Sequence, residues 1–479
     1  MRIYTALVLT NVFSLTLGLA LPVCTQIQRA VSSASAVYFP ASGHYTEDLA
    51  HWVESSTQFS ACSVEPGTAA DLSIIIQLLG QTRTPFAIKG GGHTGNPGFS
   101  STPGVQVAMT RFSGVQYNAT SGTATIGSGL IWDDVYTALE PHGVVVGGGR
   151  VSGVGVAGLT LGGGYNWLAN QVGLTIDTVV EYELVKPNGA IVSVTASSDP
   201  DLFFALKGGG NIFGVVTQFT FNTFPQGQVW GGVIFYGPAQ VAAVTAAVAS
   251  FANSVTDPKA AIIPGYTFQL GQTLAVNIMF YDGPSPPPGI FDQFLAIPHT
   301  SADISTRSFL SLVQSAPANV TAGTRGAFHA VSFLEYSPEI LDAISNETTF
   351  WGTRLAFAGI NVTYNVEPFL ETIYTHNPSP TAFPFYRTPR TMPLLFEYLW
   401  TLPTSDLIAH TAMRQSAEHL TRVAVEAGQA VAQAPLYPNY ALFGTPIERI
   451  YGSNLPRLRS IKARVDPDNV MGLVGGWKL

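Results

Sequence analysis

One histidine and the glycines around it carry the clearest chemistry in this sequence. His93 closes the run Lys89-Gly90-Gly91-Gly92-His93, and a second cluster, from Gly147 to Gly164, has glycine at nine of its eighteen positions. Glycine has no Cβ, so such segments can bring backbone N–H groups within hydrogen-bonding distance of a diphosphate. A neutral imidazole beside a bound cofactor could act as a ligand, a proton shuttle or a nucleophile. On the loop alone, a purely structural histidine is the open alternative.

The second glycine cluster also contains a dinucleotide-binding pattern. Gly153-Val-Gly155-Val-Ala-Gly158 matches G-x-G-x-x-G, a pattern that requires a helix directly after it and an acidic ribose ligand at the end of the next strand. We predict no helix here, because Gly162-Gly163-Gly164 interrupts within a turn, and Asp177 precedes the next strand. The sequence therefore argues against a Rossmann fold. It also lacks a P-loop and a nucleophile elbow.

The elements that must position these residues follow from hydrophobic periodicity. Helices are predicted over residues 69–80, with Gly80 as C-cap, and over Trp132–Leu139 and Pro200–Lys207. Strands are predicted over residues 85–88, 122–129, 179–185, 190–196 and 215–224. Helices and strands do not alternate regularly, so the fold class is α+β.

The composition and the lengths of the predicted elements change near residue 227, where we predict a domain boundary. Beyond it the glycine clusters stop, and longer strands over residues 229–237 and 273–283 alternate with a helix over residues 239–252. Residues 284–289, PSPPPG, are predicted to be a loop. A long helix is predicted over Ser405–Gly428, with a capping serine and a terminal glycine. The tail from Leu436 onward is predicted to return to the first domain.

Composition and charge exclude several classes of protein. The 479 residues are 46% hydrophobic and only 11% charged, which excludes a disordered chain. Lys plus Arg total 22 against 30 for Asp plus Glu, giving a net charge of −8, and no basic run could neutralise a nucleic-acid backbone. We find neither a Cys-type zinc pattern nor a His-Glu-x-x-His motif, so no metal site is predicted.

The N-terminus and four sequons indicate an extracellular, secreted protein. Residues 1–20 read as a signal peptide cleaved after Ala20, and a retained membrane anchor is the alternative. After cleavage no membrane segment is expected. Cys24 and Cys62 are predicted to form one disulfide, with two buried free thiols as the alternative. Glycosylation is predicted at the sequons of Asn118, Asn319, Asn346 and Asn361.

Four segments in order carry a resemblance to a known family. They are residues 85–94 (PFAIKGGGHT), 147–179, 199–221, and 437–443 (YPNYALF) followed by 451–473. Together they resemble berberine-bridge-enzyme-like members of the vanillyl-alcohol-oxidase (PCMH-type) FAD-linked oxidoreductases, of a secreted fungal type. The resemblance implies a two-subdomain FAD-binding domain over residues 21–227 and an α/β substrate domain over residues 228–430. The latter would have an antiparallel sheet covered by helices, and residues 431–479 would return to the FAD domain.

The resemblance also implies roles for particular residues. His93 would bond covalently to the 8α-methyl of the flavin. The family's second link uses a cysteine in C-x-x-V-G, which here reads Val151-Ser152-Gly153-Val154-Gly155, so a single link is expected. Val154 would leave oxygen access to the ring, although a packed core valine fits the sequence equally. The other implied FAD-binding residues are Lys89, Gly90, Gly91, Gly92, Thr94, Gly95, Gly149, Gly153, Gly155, Gly158, Gly163, Gly164, Gly214, Val216 and Asn439.

The implied function is a secreted FAD-dependent oxidase. It would transfer hydride from an alcohol-type small molecule, either an oligosaccharide or an aromatic or secondary-metabolite alcohol, to FAD, with O2 reduced to H2O2. The alternative is a biosynthetic enzyme that oxidises or cyclises a secondary metabolite. A third possibility is a protein of this fold that only binds a ligand, and the intact GGGH loop argues against it. Candidate catalytic residues are Tyr440, ranked first as base, then Tyr437 and Tyr398; the sequence does not indicate an oligomeric state.

Overall fold

The fold combines several β-sheets with helices, as the α+β prediction requires. The computed structural model describes residues 22–316, 323–377 and 379–479; the predicted signal peptide and Asn319 lie outside these ranges. The strands are β1 (Ala36–Tyr38), β2 (Cys62–Glu65), β3 (Phe86–Lys89), β4 (Val105–Ala108), β5 (Val115–Asn118), β6 (Thr123–Gly127), β7 (Val144–Val145), β8 (Val179–Val185), β9 (Ile191–Val194), β10 (Val215–Asn222), β11 (Phe224–Pro225), β12 (Val229–Tyr236), β13 (Ala260–Gln269), β14 (Gln272–Tyr281), β15 (Ser301–Arg307), β16 (Arg325–Phe333), β17 (Asn361–Val366) and β18 (Met392–Trp400).

Helices connect and cover these strands. They are α1 (residues 22–30), α2 (Gly43–Leu49), α3 (Ala69–Thr82), α4 (Trp132–Leu139), α5 (Val156–Leu161), α6 (Ala169–Val172), α7 (Thr175–Thr178), α8 (Pro200–Leu206), α9 (Val241–Ser254), α10 (Asp292–Ala296), α11 (Phe309–Gln314), α12 (Pro338–Leu355), α13 (Asp406–Glu426), α14 (Glu448–Tyr451) and α15 (Leu455–Val465). Within the described ranges, no helix is both long and apolar enough to cross a membrane.

The glycine-rich part of the chain builds two larger sheets and a two-stranded sheet, β11-β7. One has the order β1-β2-β4-β3, with β1 antiparallel to β2 and the other pairs parallel. The other has the order β5-β6-β10-β8-β9 and is antiparallel throughout. The GGGH run follows β3 directly, and the second glycine cluster lies between β7 and α7. The sheets thus bring both glycine segments toward one region.

Two local predictions in this part are wrong. Gly80 does not cap α3, because the helix continues to Thr82 and Arg83 takes the left-handed conformation with φ 53°. A helix does form at the G-x-G-x-x-G pattern: α5 begins directly after Gly155 and ends at Leu161 after six residues, with Gly162 as its C-cap. The glycines therefore shorten this helix without preventing it. The antiparallel second sheet still departs from the parallel sheet of a Rossmann fold.

The remaining large sheet forms the other half of the molecule. Its antiparallel order is β15-β12-β14-β13-β17-β18-β16. Helices α9, α12 and α13 pack on one face and bury an extensive apolar core there. Ser405 precedes α13, but its side chain does not cap the helix as predicted, because its hydroxyl donates to the Ala358 carbonyl at 3.0 Å. The opposite face of the sheet is free to line a cavity.

The C-terminal segment packs against the first sheet. The backbone N–H of Phe86 in β3 donates to the Leu473 carbonyl at 3.2 Å, and Phe86 also pairs with Val474. Trp477 meets Phe99 edge to face, with ring centroids 5.0 Å apart. These contacts place the last residues next to the strand that leads into the GGGH run.

The predicted glycosylation sites within the described ranges are accessible. Asn118 ends β5, Asn346 lies on α12, and Asn361 begins β17. All three side chains are exposed to solvent. Their glycosylation stays a prediction.

The predicted disulfide joins Cys24 to Cys62. It ties α1 to β2 across a sequence separation of 38 residues. A cross-link stabilises mainly by restricting the unfolded chain. We therefore expect the double variant Cys24→Ala/Cys62→Ala to lose about 2–4 kcal/mol of unfolding free energy in denaturant titrations. Wild-type protein under reducing conditions is the matched control and should unfold at the same denaturant midpoint as the double variant. The expectation would be contradicted if both samples unfolded at the midpoint of the oxidised wild-type protein.

Candidate active site

A cavity of about 720 Å³ separates the glycine-rich half from the large sheet. This volume lies within the range of small-molecule and cofactor sites, roughly 300–1,000 Å³. One wall is built from the two glycine segments and residues after α8. The other wall is the face of the large sheet that the helices leave free.

The two glycine segments contact each other through their backbones. A Cβ on Gly91 would stand 2.5 Å from the Gly155 Cα, and a Cβ on Gly155 would stand 2.6 Å from the Gly91 nitrogen. Only glycine allows this approach. At Gly158 the position of a Cβ meets no atom within 4 Å, and Gly158 lines the cavity. The segments therefore leave an open backbone surface facing the cavity.

His93 lines this cavity between aromatic rings. Its imidazole stacks on Trp52 with ring centroids 4.9 Å apart, and Phe328 of β16 lies beyond at 6.2 Å. Burial lowers the pKa of His93 to about 4, so the imidazole is neutral at pH 7. A neutral imidazole keeps the free lone pair that a nucleophile or ligand needs.

Most of the residues predicted to bind the cofactor lie together on the cavity wall. Besides His93, the wall includes the predicted residues Gly90, Gly91, Gly92, Thr94, Val154, Gly155, Gly158, Gly214, Val216 and Asn439. The predicted residues Lys89, Gly95, Gly149, Gly153, Gly163 and Gly164 do not line it. The cofactor-binding role of these six residues stays a prediction, and their surroundings explain why they do not line the cavity.

Lys89 and Gly95 flank the GGGH run but face protein. The Lys89 ammonium donates to the Glu47 carbonyl at 3.2 Å, and burial lowers the pKa of Lys89. At Gly95 a Cβ would stand 3.1 Å from the Cα of Ala327 in β16. Both residues therefore contact neighbouring protein and not the cavity.

The four glycines of the second cluster that do not line the cavity also pack against neighbours. A Cβ on Gly149 would stand 2.8 Å from the Trp132 ring, and one on Gly163 would stand 3.1 Å from the Phe383 ring. The N–H of Gly153 donates to the Asp133 carboxylate at 2.9 Å. The N–H of Gly164 donates to the Tyr437 hydroxyl at 3.1 Å. These contacts with neighbouring residues fix the shape of the segment.

Tyr440 belongs to a buried charged cluster on the cavity wall. Its hydroxyl donates to Glu367 Oε1 at 2.8 Å and accepts from Arg150 Nη2 at 2.8 Å. Arg150 also pairs with Glu367 Oε2 at 2.7 Å. Burial and the Glu367 carboxylate raise the pKa of Tyr440 well above its ordinary value, although Arg150 opposes them. Arg150 is the cation that could help to ionise a tyrosine base, but the Glu367 carboxylate opposes its effect on the pKa of Tyr440.

The other two candidate tyrosines have different surroundings. Tyr437 lines the cavity, and its hydroxyl accepts from Gly164 and from the Asn439 amide at 3.0 Å. Tyr398 does not line it: its hydroxyl lies 2.7 Å from that of Tyr364, on the face covered by α13. The prediction that Tyr398 is a catalytic residue is wrong. Side chains alternate along β18, so Tyr398 lies on the covered face of the sheet while Glu397 lies on the cavity face.

Glu397 is a cavity-lining carboxyl that sequence reasoning missed. It is the acidic residue in the apolar strand β18, MPLLFEYLW. Burial raises the pKa of Glu397 to about 7, with a hydrogen bond to Asn365 opposing the shift. Arg150 and Glu367 were also missed. The sequence signal for Glu397 is a single charged residue inside an apolar run. Burying a charge costs free energy, so such a residue is usually paired or functional.

Two buried hydroxyls test whether a polar cofactor fits the cavity. Ser128 and Tyr451 both line it, and the hydroxyl of neither has a hydrogen-bond partner among the described residues. Buried hydroxyls are nearly always paired in folded proteins. A large polar ligand such as FAD would offer partners, and the open backbone at Gly158 offers room for it. The residues present therefore fit FAD.

Known proteins agree with this assignment. Family models for an FAD binding domain and for "berberine and berberine like" proteins match residues 60–195 and 437–472. The FAD-dependent monooxygenase tpcD of Cochliobolus heterostrophus is 32% identical over 449 residues, 88% of this chain and 85% of that protein. An uncharacterized FAD-linked oxidoreductase of Arthroderma benhamiae is 37% identical over 294 residues, 60% of this chain and 59% of its own length.

Solved structures extend the likeness to the fold. The xylooligosaccharide oxidase from Myceliophthora thermophila C1, solved with xylobiose, gives a TM-score of 0.76 at 18% identity and covers 96% of this chain and 100% of that one. Fold, site and relatives together define an FAD-dependent oxidoreductase. The chain belongs to the berberine-bridge-enzyme-like family of FAD-linked oxidoreductases.

Proposed function

We propose that this protein is a secreted oxidase that carries FAD on His93 and oxidises an alcohol-type small molecule. The observation that carries the proposal is the carboxyl of Glu397, which faces the same cavity as His93 and has a pKa of about 7. A general base works best when its pKa is near the working pH. When bound, FAD would supply the hydride acceptor, and O2 would be the final electron acceptor, giving H2O2.

Glu397 receives the proton in the proposed reaction. The substrate O–H bond breaks and its proton moves to the Glu397 carboxylate, while the C–H bond of the carbinol carbon breaks with its electron pair. The product is a carbonyl compound, and the oxidation removes two electrons and two protons in total. Neutral His93 and the backbone of the GGGH run hold the cofactor, while Val154 on the cavity wall supports the proposed access of O2.

Tyr440 has a positioning role in this proposal. Its hydroxyl hydrogen is directed at Glu367 and its oxygen accepts from Arg150. A tyrosine held in this way is a poor base, but it can fix the shape of the wall and accept a hydrogen bond. Glu397 faces the cavity without an arginine partner, so it is the stronger candidate for proton transfer.

The covalent link is tested by His93→Ala. We expect wild-type protein to keep its flavin fluorescence on the polypeptide after acid denaturation, whereas the variant should bind FAD and release all of it. His51→Ala is the matched control, since His51 is a half-buried histidine whose Nε2 lies 2.8 Å from the hydroxyl of Ser100, a cavity residue. Flavin that stays attached to the His93→Ala polypeptide would exclude His93 as the site.

A second candidate function is the biosynthetic oxidation or cyclisation of a secondary metabolite. The relative from Cochliobolus heterostrophus favours it, because that protein is described as a monooxygenase. The two functions differ in their products. An alcohol oxidase releases one H2O2 for each carbonyl formed, an oxidative cyclisation forms a new ring bond and no carbonyl, and a monooxygenase places an oxygen atom of ¹⁸O2 in its product.

A further inference from the structure

The substrate wall of the cavity is a row of side chains from six neighbouring strands. In sheet order these are β12, β14, β13, β17, β18 and β16. Strands lie about 4.8 Å apart, so five spacings make a floor about 24 Å wide. His93 lies at the β16 end, where it is close to Phe328. A molecule oxidised near His93 can therefore extend a long way across the sheet.

The floor is apolar at the end far from His93. Strands β12 and β14 contribute Val233, Phe235, Val276 and Ile278, and β13 contributes Ile263. Their order across the sheet is fixed by the register, in which Val233 and Ile263 both pair with Ile278. Among the described cavity residues on these three strands, Thr267 alone is polar, and its hydroxyl accepts from Thr363 at 2.9 Å.

The polar groups are concentrated at the end near His93. Glu397 pairs across strands with Thr363 on one side and with Phe328 on the other. Asn365 lies one row away, opposite Leu395. The floor therefore divides into a part on β17, β18 and β16 that holds the proposed base and a mainly apolar part on β13, β14 and β12.

This division discriminates between the substrates considered above. An oligosaccharide carries hydroxyls along its whole length, and burying them against aliphatic side chains without partners costs free energy. An apolar chain or ring in the same place gains free energy from the area removed from water. Sugar units beyond the first would meet Val276 and Ile278, which offer no hydrogen bonds, before reaching the half-exposed ring of Phe235.

We propose that the substrate is an amphipathic hydroxy compound, with its oxidisable hydroxyl at Glu397 and an aliphatic or aromatic body lying across β13, β14 and β12. The proposal rests on the alcohol oxidation proposed above and names its substrate class. Oligosaccharides are excluded as preferred substrates by the same floor.

The test uses the flavin-loaded enzyme and 4-alkoxybenzyl alcohols with alkyl chains of one to eight carbons, beside xylo- and cello-oligosaccharides of two to four units. We expect kcat/KM to rise about threefold to fourfold for each added methylene, the effect of burying one CH2, and oligosaccharides to react far more slowly. A flat series, or a larger kcat/KM for the sugars, would overturn the inference and leave alcohol oxidation in place.

Equilibrium binding separates this inference from the proposed function. If no alcohol reduces the flavin, the proposed alcohol oxidation fails, but binding of the same series, followed by changes in flavin absorbance, still reports on the floor. Affinity that increases with chain length supports the apolar floor, and affinity independent of chain length contradicts it.

Ile278→Asn locates the effect on the floor. We expect it to remove most of the dependence on chain length, whereas Ile191→Asn, the same change at an exposed position of β9, should leave it unchanged. Val276→Thr is the smaller second variant in case Ile278→Asn does not fold, and it should reduce the slope. An unchanged slope in a folded variant at either floor position would contradict the placement.

Discussion

Glu397→Gln should lower kcat/KM for the alcohol substrate by about 10²–10⁴-fold, the usual contribution of a positioned general base. Glutamine keeps the size of the side chain and can still bond Asn365, so the fold and FAD content should not change. The loss would therefore report proton transfer. The measurement is steady-state peroxide release together with the rate of anaerobic flavin reduction.

The pH dependence gives the same prediction a sign. Glu397 accepts a proton only when ionised, and burial raises its pKa to about 7. For wild-type protein, kcat/KM should therefore fall about tenfold per pH unit below pH 7 and level off above it. The Glu397→Gln variant should lose this acidic limb, and Glu426→Gln, at an exposed position near the end of α13, should keep both rate and limb. A larger loss in Tyr440→Phe than in Glu397→Gln would instead identify Tyr440 as the base.

Arg150→Met should destabilise the protein by about 3–5 kcal/mol, because it leaves the Glu367 carboxyl buried without its cation. Arg150 and Glu367 are both nearly inaccessible, with side-chain exposures of 9% and 1%. The cost should depend on pH. Burial raises the pKa of Glu367, and Arg150 opposes that shift. Without Arg150, ionisation of Glu367 above the ordinary carboxyl pKa favours the unfolded chain more strongly. The loss of unfolding free energy relative to wild-type protein should therefore grow from pH 4 to pH 7.

Two further variants separate this effect from the loss of any arginine. Arg464→Met removes an ion pair between an exposed arginine and the half-buried Asp199, and it should cost no more than about 1 kcal/mol. Adding Glu367→Gln to Arg150→Met should recover part of the stability and remove the pH dependence, because no buried carboxyl remains. Denaturant midpoints that are equal for Arg150→Met and Arg464→Met would contradict the role assigned to the buried cluster.

Local sequence patterns predicted many elements of the glycine-rich half accurately. The helix Trp132–Leu139 and the strand over residues 179–185 have the predicted bounds. These elements follow hydrophobic periodicity, which depends on near neighbours in the chain. The errors at Gly80 and Ser405 arose where a longer-range contact or a neighbouring residue took over the end of a helix. A cap depends on a few local angles and bonds, so one tertiary contact can override it.

The sequence by itself predicted that two glycine segments and His93 belong to one cofactor site. Four ordered segments identify the family, and a glycine-rich segment can be recognised without knowing its tertiary contacts. Only the tertiary structure decided which side chains work beside them. Arg150, Glu367 and Tyr440 come together from three distant parts of the chain, and the register and alternation of β18 point Glu397 into the cavity and Tyr398 away from it. Whether a carboxyl is a base or a partner in an ion pair depends on what surrounds it, because burial and nearby charge set its pKa.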